Sequence, residues 1–144
     1  MRAEFTVMGE PKGKGRPRFA RMGQNIRTYT PTETASYENL VAVEYERQCK
    51  GVYFERDIPL RMTVTGYLSI PKSVSRKKHD QMVNGDIRPI KKVDSSNLLK
   101  VVEDALNGVA YHDDVQLVEE FVFRYYGDVP RVEVTIEVAD EGRG

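Results

Sequence analysis

The stretch from position 94 to position 108 predicts an amphipathic helix with charged residues on its polar face. Its apolar residues follow the i, i+3, i+4, i+7, i+8 spacing of a buried face: Leu98, Val101, Val102, Ala105 and Leu106. Asp94, Ser95 or Ser96 can cap the N-terminus, and Gly108 is the expected stop after Asn107. We therefore expect a helix over residues 96–107 that buries one face in the core.

Length and composition predict one domain over residues 1–144. A chain of 144 residues with 40% hydrophobic content can bury one core but hardly two. Its single cysteine, Cys49, cannot form a disulfide within the chain, and no apolar run is long enough to span a bilayer or to form the core of a signal peptide. We expect a protein of a reducing cytoplasm without a membrane partner.

The charges are segregated although they sum to zero. Residues 1–31 and residues 72–92 each contain seven Lys or Arg against two acidic residues. A solvated loop is the common fate of one charge run, but two such blocks interrupted by Gly and Pro favour phosphate binding. We predict a flexible basic arm over 9–31 and a basic loop over 72–92, which together contact DNA through Lys12, Lys14, Arg16, Arg18, Arg76, Lys77 and Lys78.

The remaining patterns predict an α+β fold. Residues 3–8, 60–70, 115–125 and 131–138 have the composition or alternation of strands, and a helix is expected from Thr32 or Thr34 to about Lys50. The turn residues at 127–130 indicate a hairpin between the last two strands, and the polar tail 139–144 is expected to fray. We predict a mixed sheet covered on one face by two helices, in the order β-α-β-α-β-β.

The polar residues around the 96–107 helix predict a site for a metal ion and a phosphate. Mg²⁺ prefers oxygen ligands and needs only one or two carboxylates, which Asp94 and Asp114 can supply. Lys100 lies nearly two turns beyond Asp94 and can reach back to steady a phosphate. The alternatives are structural: Asp94 is only a cap, Asp113 and Asp114 only shape a turn, and Lys100 only pairs with Asp104.

The same residues resemble the RusA family of Holliday-junction resolvases, small magnesium-dependent endonucleases of bacteria and their phages. The family's centre reads K-P-D-x-D-N-L-x-K, then D-A-L-N-G, then D-D-x-Q-V. This chain has Lys92-Val93-Asp94-Ser95-Ser96-Asn97-Leu98-Leu99-Lys100, then Asp104-Ala105-Leu106-Asn107-Gly108, then Asp113-Asp114-Val115-Gln116-Leu117. Residues 15–19 and 29–38 also resemble the family's amino-terminal region, so nearly the whole chain is covered.

The resemblance implies a function and a set of site residues. Asp94 and Asp114 match the metal-binding carboxylates, Lys100 matches the essential lysine, and Asp113 is a neighbour of the site. It implies a homodimer that binds branched DNA in the cytoplasm of a bacterial or phage-infected cell. There it would resolve four-way junctions in recombination and repair by paired nicking with Mg²⁺, Mn²⁺ being an alternative ion.

Ser96 departs from the family pattern because it stands where the second aspartate of D-x-D is expected. A hydroxyl is a neutral and weaker ligand than a carboxylate. Ser96 is a natural loss, an engineered inactivation, or part of a site completed by Glu103 or Asp104. The competing hypothesis is therefore a junction-binding protein with weak or no nuclease activity; a third is an RNA- or protein-binding α+β domain.

Overall fold

The computed structural model describes residues 1–15, 18–22, 25–29 and 32–139, with the backbone alone for 18–22, 25–29, 32 and 33. Within these ranges, six strands, three α-helices and a short 3₁₀ helix follow one another. In order they are β1 (Arg2–Met8), β2 (Arg18–Met22), β3 (Asn25–Tyr29), α1 (Thr32–Cys49), β4 (Leu60–Ser69), α2 (Arg76–Val83), α3 (Ser95–Leu106), the 3₁₀ helix (Asp114–Gln116), β5 (Leu117–Gly127) and β6 (Arg131–Val138).

Four strands form a mixed sheet in the order β1-β6-β4-β5. β6 is antiparallel to both β1 and β4, whereas β4 and β5 are parallel. The predicted hairpin between the last two strands is wrong, because β4 lies between β5 and β6. The turn at residues 127–130 reverses the chain without pairing its two flanking strands, and a parallel β4–β5 pair requires a long crossover, which contains α3.

The alternating strands bury one face of the sheet under α1 and α3. Every second residue of β4 from Leu60 to Leu68 is buried, and β6 buries Val132, Val134 and Ile136. α1 contacts β1 and α3, and α3 contacts β4 and β5. The predicted α+β class, with a mixed sheet covered on one face by these two helices, is confirmed.

The predicted face of α3 is the face that enters the core. Leu98, Val101, Val102, Ala105 and Leu106 are all buried, and the helix begins one residue earlier than predicted, with Asp94 as its N-cap. α3 approaches the sheet closely at Gly66 of β4, where an added Cβ would lie 2.8 Å from Leu98 Cδ2. The absence of a side chain at Gly66 therefore makes room for Leu98.

α1 has its predicted extent, but Leu40 and Thr34 do not have the roles considered for them. Tyr37, Val41 and Tyr45 of the predicted stripe are buried, whereas Leu40 is exposed. Gln48 joins α1 to β1, because its side chain both accepts from the Thr6 N–H and donates to the Thr6 carbonyl. Thr34, considered as a cap, lies inside the helix.

Regular structure occurs within the basic arm and the basic loop, where none was predicted. The strands β2 and β3 pair in the basic arm, and α2 occupies the middle of the basic loop. α2 lacks an apolar stripe because it buries only Met82; Ser75 caps its N-terminus by accepting from the Lys78 N–H. In the predicted tail, Ala139 is buried and bonded to the Pro59 carbonyl, and residues 140–144 lie outside the described ranges.

No helix within the described ranges is long and apolar enough to cross a membrane.

The contact between α3 and β4 predicts unequal effects at two adjacent leucines. Leu98→Ala should lower the free energy of unfolding by about 2–5 kcal/mol, because it leaves a cavity beside Gly66. Leu99→Ala, at a partly buried position, should cost only about 1 kcal/mol. Urea denaturation with an unchanged m-value would measure both. Equal losses at the two positions would contradict this packing.

Candidate active site

Asp94 is fixed at the N-terminus of α3 by local hydrogen bonds. Its Oδ1 accepts from the Asn97 N–H at 2.8 Å and from Ser96 Oγ at 3.1 Å, and its Oδ2 accepts from Asn97 Nδ2 at 3.2 Å. The bond from the Asn97 backbone is the main cause that lowers the pKa of Asp94, with further contributions from Ser96 and the Arg124 and Lys92 charges. The capping role is confirmed, and the exposed carboxylate is ionised at neutral pH.

Arg124 of β5 holds the segment that leads into Asp94. Its Nη1 donates to the carbonyls of Lys91 (2.8 Å) and Val93 (3.0 Å), and its Nε donates to Ser95 Oγ (3.1 Å). These bonds tie both sides of Asp94 to the sheet. The position of the cap therefore depends on a strand residue thirty positions further along the chain.

Lys100 belongs to an ion-pair network in the middle of α3. Its Nζ lies 3.0 Å from Asp104 Oδ1, and Lys14 Nζ lies 3.1 Å from Asp104 Oδ2 while also pairing with Glu38. The bond to Asp104 is the main cause that raises the pKa of Lys100, with the charges of Glu103 and Asp114 adding to it. Lys100 is therefore protonated at neutral pH, and its pairing with Asp104 is confirmed.

A tight reversal after α3 returns the chain toward the same helix. Gly108 begins the turn with φ +79°, a conformation that favours glycine, and its N–H donates to the Tyr111 carbonyl at 2.9 Å. The buried Tyr111 donates from its hydroxyl to the Glu103 carbonyl at 2.8 Å. Through these contacts the loop leads to Asp113 and Asp114 beside α3.

The side chain of Gln116 fixes the backbone of the segment that carries Asp113 and Asp114. It is buried; its Oε1 accepts from the His112 and Asp113 N–H groups, and its Nε2 donates to the Glu55 and Ile58 carbonyls. Asp113 in turn caps the 3₁₀ helix through the Val115 N–H at 3.0 Å. Asp113 is therefore held in place by the backbone around it.

The two neighbouring aspartates are electrostatically different. The Val115 N–H and then Asp114 lower the pKa of Asp113, whereas burial, the hydrogen bond to Asp113 and the charges of Asp113 and Glu103 raise the pKa of Asp114. Lys100 acts in the opposite direction and favours ionised Asp114. Asp114 and Lys100 are thus close enough for each to shift the pKa of the other.

A second carboxyl pair lies next to this group. Glu103 of α3 and Glu120 of β5 lie within hydrogen-bonding distance of each other. Burial and then Glu120 raise the pKa of Glu103 to about 8, while Lys100 opposes the rise. The acidic side chains of this part of the described surface therefore outnumber its two paired cations, Lys100 and Lys14.

The predicted site residues fall into two groups along one helix. Asp94 lies with Ser96 at the N-terminal end, whereas Lys100 lies with Asp114 and Asp113 further along. Ser96, Lys100 and Glu103 are spaced by four and three residues, so they lie on the same face of α3 and connect the two groups. Ser96, which stands where the family pattern has its second aspartate, therefore lies between Asp94 and Lys100 on this helix.

The basic arm forms one wall beside Asp94. The Lys14 N–H donates to the Asn97 carbonyl at 3.0 Å, and a Cβ on Gly13 would lie 2.3 Å from Val93 Cγ2. A cavity of about 440 Å³ opens here, lined by Gly13, Lys14, Gly15, Lys92, Val93, Asp94 and Asn97. Glycine at position 13 allows the arm to pass directly over the first turn of α3.

The predicted DNA-contacting residues have different environments. Lys12, Arg76, Lys77 and Lys78 are exposed, the last three in the first turn of α2. Lys14 is half-buried in its pairs with Glu38 and Asp104, so it connects the arm to α1 and α3. Arg16 lies outside the described residues, and the Arg18 side chain is not described.

The carboxylates around α3 are oxygen donors of the kind that hard divalent cations prefer. Within the described ranges, no group of three or more His, Cys, Asp or Glu side chains is arranged to hold a metal ion. Mg²⁺ does not require such a cage, because one or two carboxylates with water and phosphate oxygens complete its shell. Asp94 and Asp114 provide carboxylates of this kind, and Ser96 adds only a neutral hydroxyl.

Three contributors to the site were missed from the sequence. Arg124 lies in register with Gly66, on the helix-covered face of the sheet, where an arginine needs several acceptors. The alternation of β5 could have predicted that Arg124 lies on the helix-covered face. Gln116 lies in the quoted family motif and follows Asp113 at the spacing of a capping box, so a local signal for it was available. Glu120 carried no such local signal, because its contact with Glu103 joins a helix to a strand.

A protonated lysine among carboxylates, next to exposed basic segments on an α+β scaffold, is suited to an enzyme that acts on phosphodiesters. The family described as Endodeoxyribonuclease RusA matches residues 8–137. The chain is also 36% identical over 135 residues to "Uncharacterized protein YqaN" of Bacillus subtilis (strain 168), covering 92% of this chain and 94% of that protein. The chain belongs to the RusA endodeoxyribonuclease family, which confirms the resemblance and implies a junction-resolving endonuclease.

The Glu103–Glu120 pair predicts a pH-dependent stability. The pKa of Glu103 is raised to about 8 in the folded protein from an ordinary value of 4.5, so the folded state binds the extra proton. The stability that this proton provides is present below about pH 4.5 and is lost as the pH rises through 8. Glu103→Gln should therefore resemble the parent at pH 5 and be more stable at pH 9.

Urea denaturation in EDTA across this range would measure the effect, with Glu46→Gln on the exposed side of α1 as the control. The control should follow the parent at every pH. Parallel curves for Glu103→Gln and the parent would show that Glu103 does not hold the proton.

Proposed function

We propose that this protein is a magnesium-dependent, structure-selective endonuclease that resolves four-way DNA junctions by paired nicking as a homodimer. The observation that carries the proposal is the family match over residues 8–137, which includes Asp94, Lys100, Asp113 and Asp114. The arrangement of charges around α3 supports it independently, because it combines oxygen donors with a protonated lysine.

Asp94 and Asp114 would hold the Mg²⁺ ion. Bound there, the ion would lower the pKa of a water molecule and neutralise charge on the scissile phosphate. Asp94 suits the role because its lowered pKa keeps it ionised. For Asp114, the nearby Lys100 charge opposes the raised pKa and favours the carboxylate that a metal ion requires.

Lys100 would stabilise the charge that develops on the phosphate. It is protonated, lies near Asp114 and is held by Asp104 in a defined position on the exposed face of α3. A fixed cation of this kind stabilises a transition state without reorganising during the reaction. Asp104 also binds Lys14, so the same carboxylate joins the basic arm to the lysine of the site.

Exposed basic residues would bind the DNA backbone on both sides of the site. Lys92 lines the cavity beside Asp94. Lys12 lies in the basic arm, next to Gly13 of the same cavity. Arg76, Lys77 and Lys78 lie in the first turn of α2, where free N–H groups also favour an anion. Such contacts recognise phosphate position and duplex shape more than base sequence.

A homodimer fits the symmetry of the substrate. Resolution of a four-way junction requires a cut in each of two strands, and each copy of this chain offers one set of site residues. Two copies related by a two-fold axis would place one site at each strand.

The hydroxyl at position 96 supports the second candidate, a junction-binding protein with weak or no nuclease activity. Ser96 Oγ donates to Asp94 Oδ1, so it satisfies one of the oxygens that a metal ion would use. Of the acids that could replace the missing carboxylate, Asp104 is bound by two lysines, and burial and then Glu120 raise the pKa of Glu103 to about 8.

A cleavage assay separates the two candidates. The parent should nick a labelled four-way junction in pairs when Mg²⁺ or Mn²⁺ is present and not in EDTA. Asp114→Asn should reduce the rate by at least about a hundredfold, because it removes a metal ligand. Unlabelled junction should also compete better than linear duplex, a result that an RNA- or protein-binding domain would not give.

Asp57→Asn is a matched control because Asp57 is an exposed aspartate at φ +72°, a conformation that asparagine tolerates. It should cleave like the parent. Tight junction binding by the parent without any metal-dependent nick would exclude the nuclease and leave the binding protein.

Restoring a carboxylate at position 96 should increase activity. Ser96→Asp would replace a donor to Asp94 with a third oxygen ligand, and we expect junction cleavage to rise by about tenfold or more. Ser95→Asp adds the same charge one residue away, where the side chain binds Arg124, and should give no gain. Equal rates for the parent and both variants would mean that the site is completed by another group or is inactive for another reason.

A further inference from the structure

Ile90 is the most exposed large apolar side chain within the described ranges. It is 97% exposed, although Pro89 directly before it is buried. The next in exposure, Val115 at 77%, directly follows Asp114. Isolated apolar side chains are common on protein surfaces, so exposure alone assigns no role to Ile90. Its distinguishing features are its position, four residues before Asp94, and the support of the loop that carries it.

Strand β5 holds the basic loop on both sides of Ile90. Before it, Arg88 Nε donates to the Arg124 carbonyl at 2.8 Å, and the Arg88 guanidinium carbon lies 3.8 Å from the centre of the Tyr125 ring. After it, Arg124 Nη1 donates to the Lys91 carbonyl at 2.8 Å. Ile90 is therefore exposed between two neighbours that are each fixed to the sheet.

A stack of four side chains extends this support across the sheet. The Arg88 guanidinium lies on the Tyr125 ring of β5, the Tyr125 ring stacks on the Tyr67 ring of β4 with 6.0 Å between centres, and Arg131 of β6 lies 3.8 Å from the centre of the Tyr67 ring. A side chain on a loop that is already ordered loses little conformational entropy on binding. The loop is thus suited to present Ile90 to a ligand in a fixed position.

The charges next to Ile90 favour a polyanion. Residues 88–92 contain Arg88, Lys91 and Lys92 and no acidic residue, and all three side chains are exposed. Lys92 also lines the cavity beside Asp94. Such a cluster attracts the phosphates of nucleic acid. An apolar side chain within it requires a polyanion that also offers apolar surface, which in DNA is the face of a base.

Stacking hides the base faces of a linear duplex. An apolar wedge such as isoleucine can enter between two base pairs only if it unstacks them, which costs free energy. The cost is smallest where the regular stack is already interrupted. In a four-way junction the interruption is the branch point. An apolar side chain that gains little from linear duplex can therefore gain from a branch.

We propose that Ile90 is a specificity-determining residue that packs on an unstacked base at the branch point, while Lys91 and Lys92 bind the phosphates beside it. The inference rests on the proposed function for its substrate. It deepens that function by naming a side chain that distinguishes a branch from a linear duplex. Ile90 itself takes no part in breaking the phosphodiester bond.

Binding measured in EDTA tests the inference without cleavage. Fluorescence anisotropy would compare a labelled four-way junction with a linear duplex of the same base sequence. Ile90→Ser should weaken junction binding by about tenfold, because it removes most of the apolar surface of the side chain, and should leave duplex binding unchanged. Ile90→Leu should keep the parent's preference. Val43→Ser, at a 51% exposed position on α1, is the matched control and should bind both DNAs like the parent.

The fluorescence of 2-aminopurine, which rises when this base analogue is unstacked, gives a second readout. Placed in turn at each position next to the branch point, it should brighten at one or more positions when the parent binds and should not brighten with Ile90→Ser. Lys77→Ala removes an exposed cation of α2 instead, and should weaken junction and duplex binding by a similar factor. Circular dichroism should show unchanged folding for every variant, since the altered side chains are exposed.

An Ile90→Ser variant with the parent's junction-to-duplex ratio would overturn the inference, whether both affinities stay the same or fall together. A parent that does not brighten 2-aminopurine at any position would also overturn it. The cleavage assay keeps the two proposals apart. A parent that cuts junctions while Ile90→Ser keeps its preference refutes the inference alone. A parent that never cuts, but loses its junction preference in Ile90→Ser, refutes the nuclease and leaves the inference standing.

Discussion

The packing of α3 on the parallel strands β4 and β5 is the contact on which both the fold and the site depend. A parallel pair cannot be joined by a tight turn, so the chain must cross over the sheet between them, and α3 is part of that crossover. Its apolar face fills the space above Gly66, and its polar face carries Ser96, Lys100 and Glu103. One helix thus closes the core and presents the charged residues.

Short-range periodicity was enough to predict the long elements. The spacing of the apolar residues from Leu98 to Leu106 correctly predicted the buried face of α3. The alternation of Leu60, Met62 and Val64 correctly predicted the buried face of β4. Strand order could not be predicted in this way, because the β4–β5 pairing joins residues about 57 positions apart. The helix α2 was missed for a different reason: it buries only Met82, so its signals were the Ser75 cap and the Asn84-Gly85 end.

The site shows the same division between local and distant information. The motif predicted Asp94, Lys100, Asp113 and Asp114 as site residues. Asp94 and Asp113 are held in place because each caps the helix that follows it. The residues that orient them come from elsewhere: Arg124 from β5, Gln116 through residues 55–58, and Lys14 from the arm. Lys14 in particular was predicted from its charge to contact DNA, but the partners that half-bury it lie on two helices.

Position 96 determines how strongly the N-terminal end of α3 depends on a cation. With serine, a hydroxyl donates to Asp94, so the carboxylate is satisfied within the protein. With aspartate, two carboxylates would share this turn, and their repulsion would favour a bound cation. Further along the helix, burial and then Glu120 of β5 raise the pKa of Glu103, and the charge of Lys100 opposes that rise. Under the proposed function, serine would therefore favour the metal-free protein and weaken its hold on the metal that the family's chemistry requires.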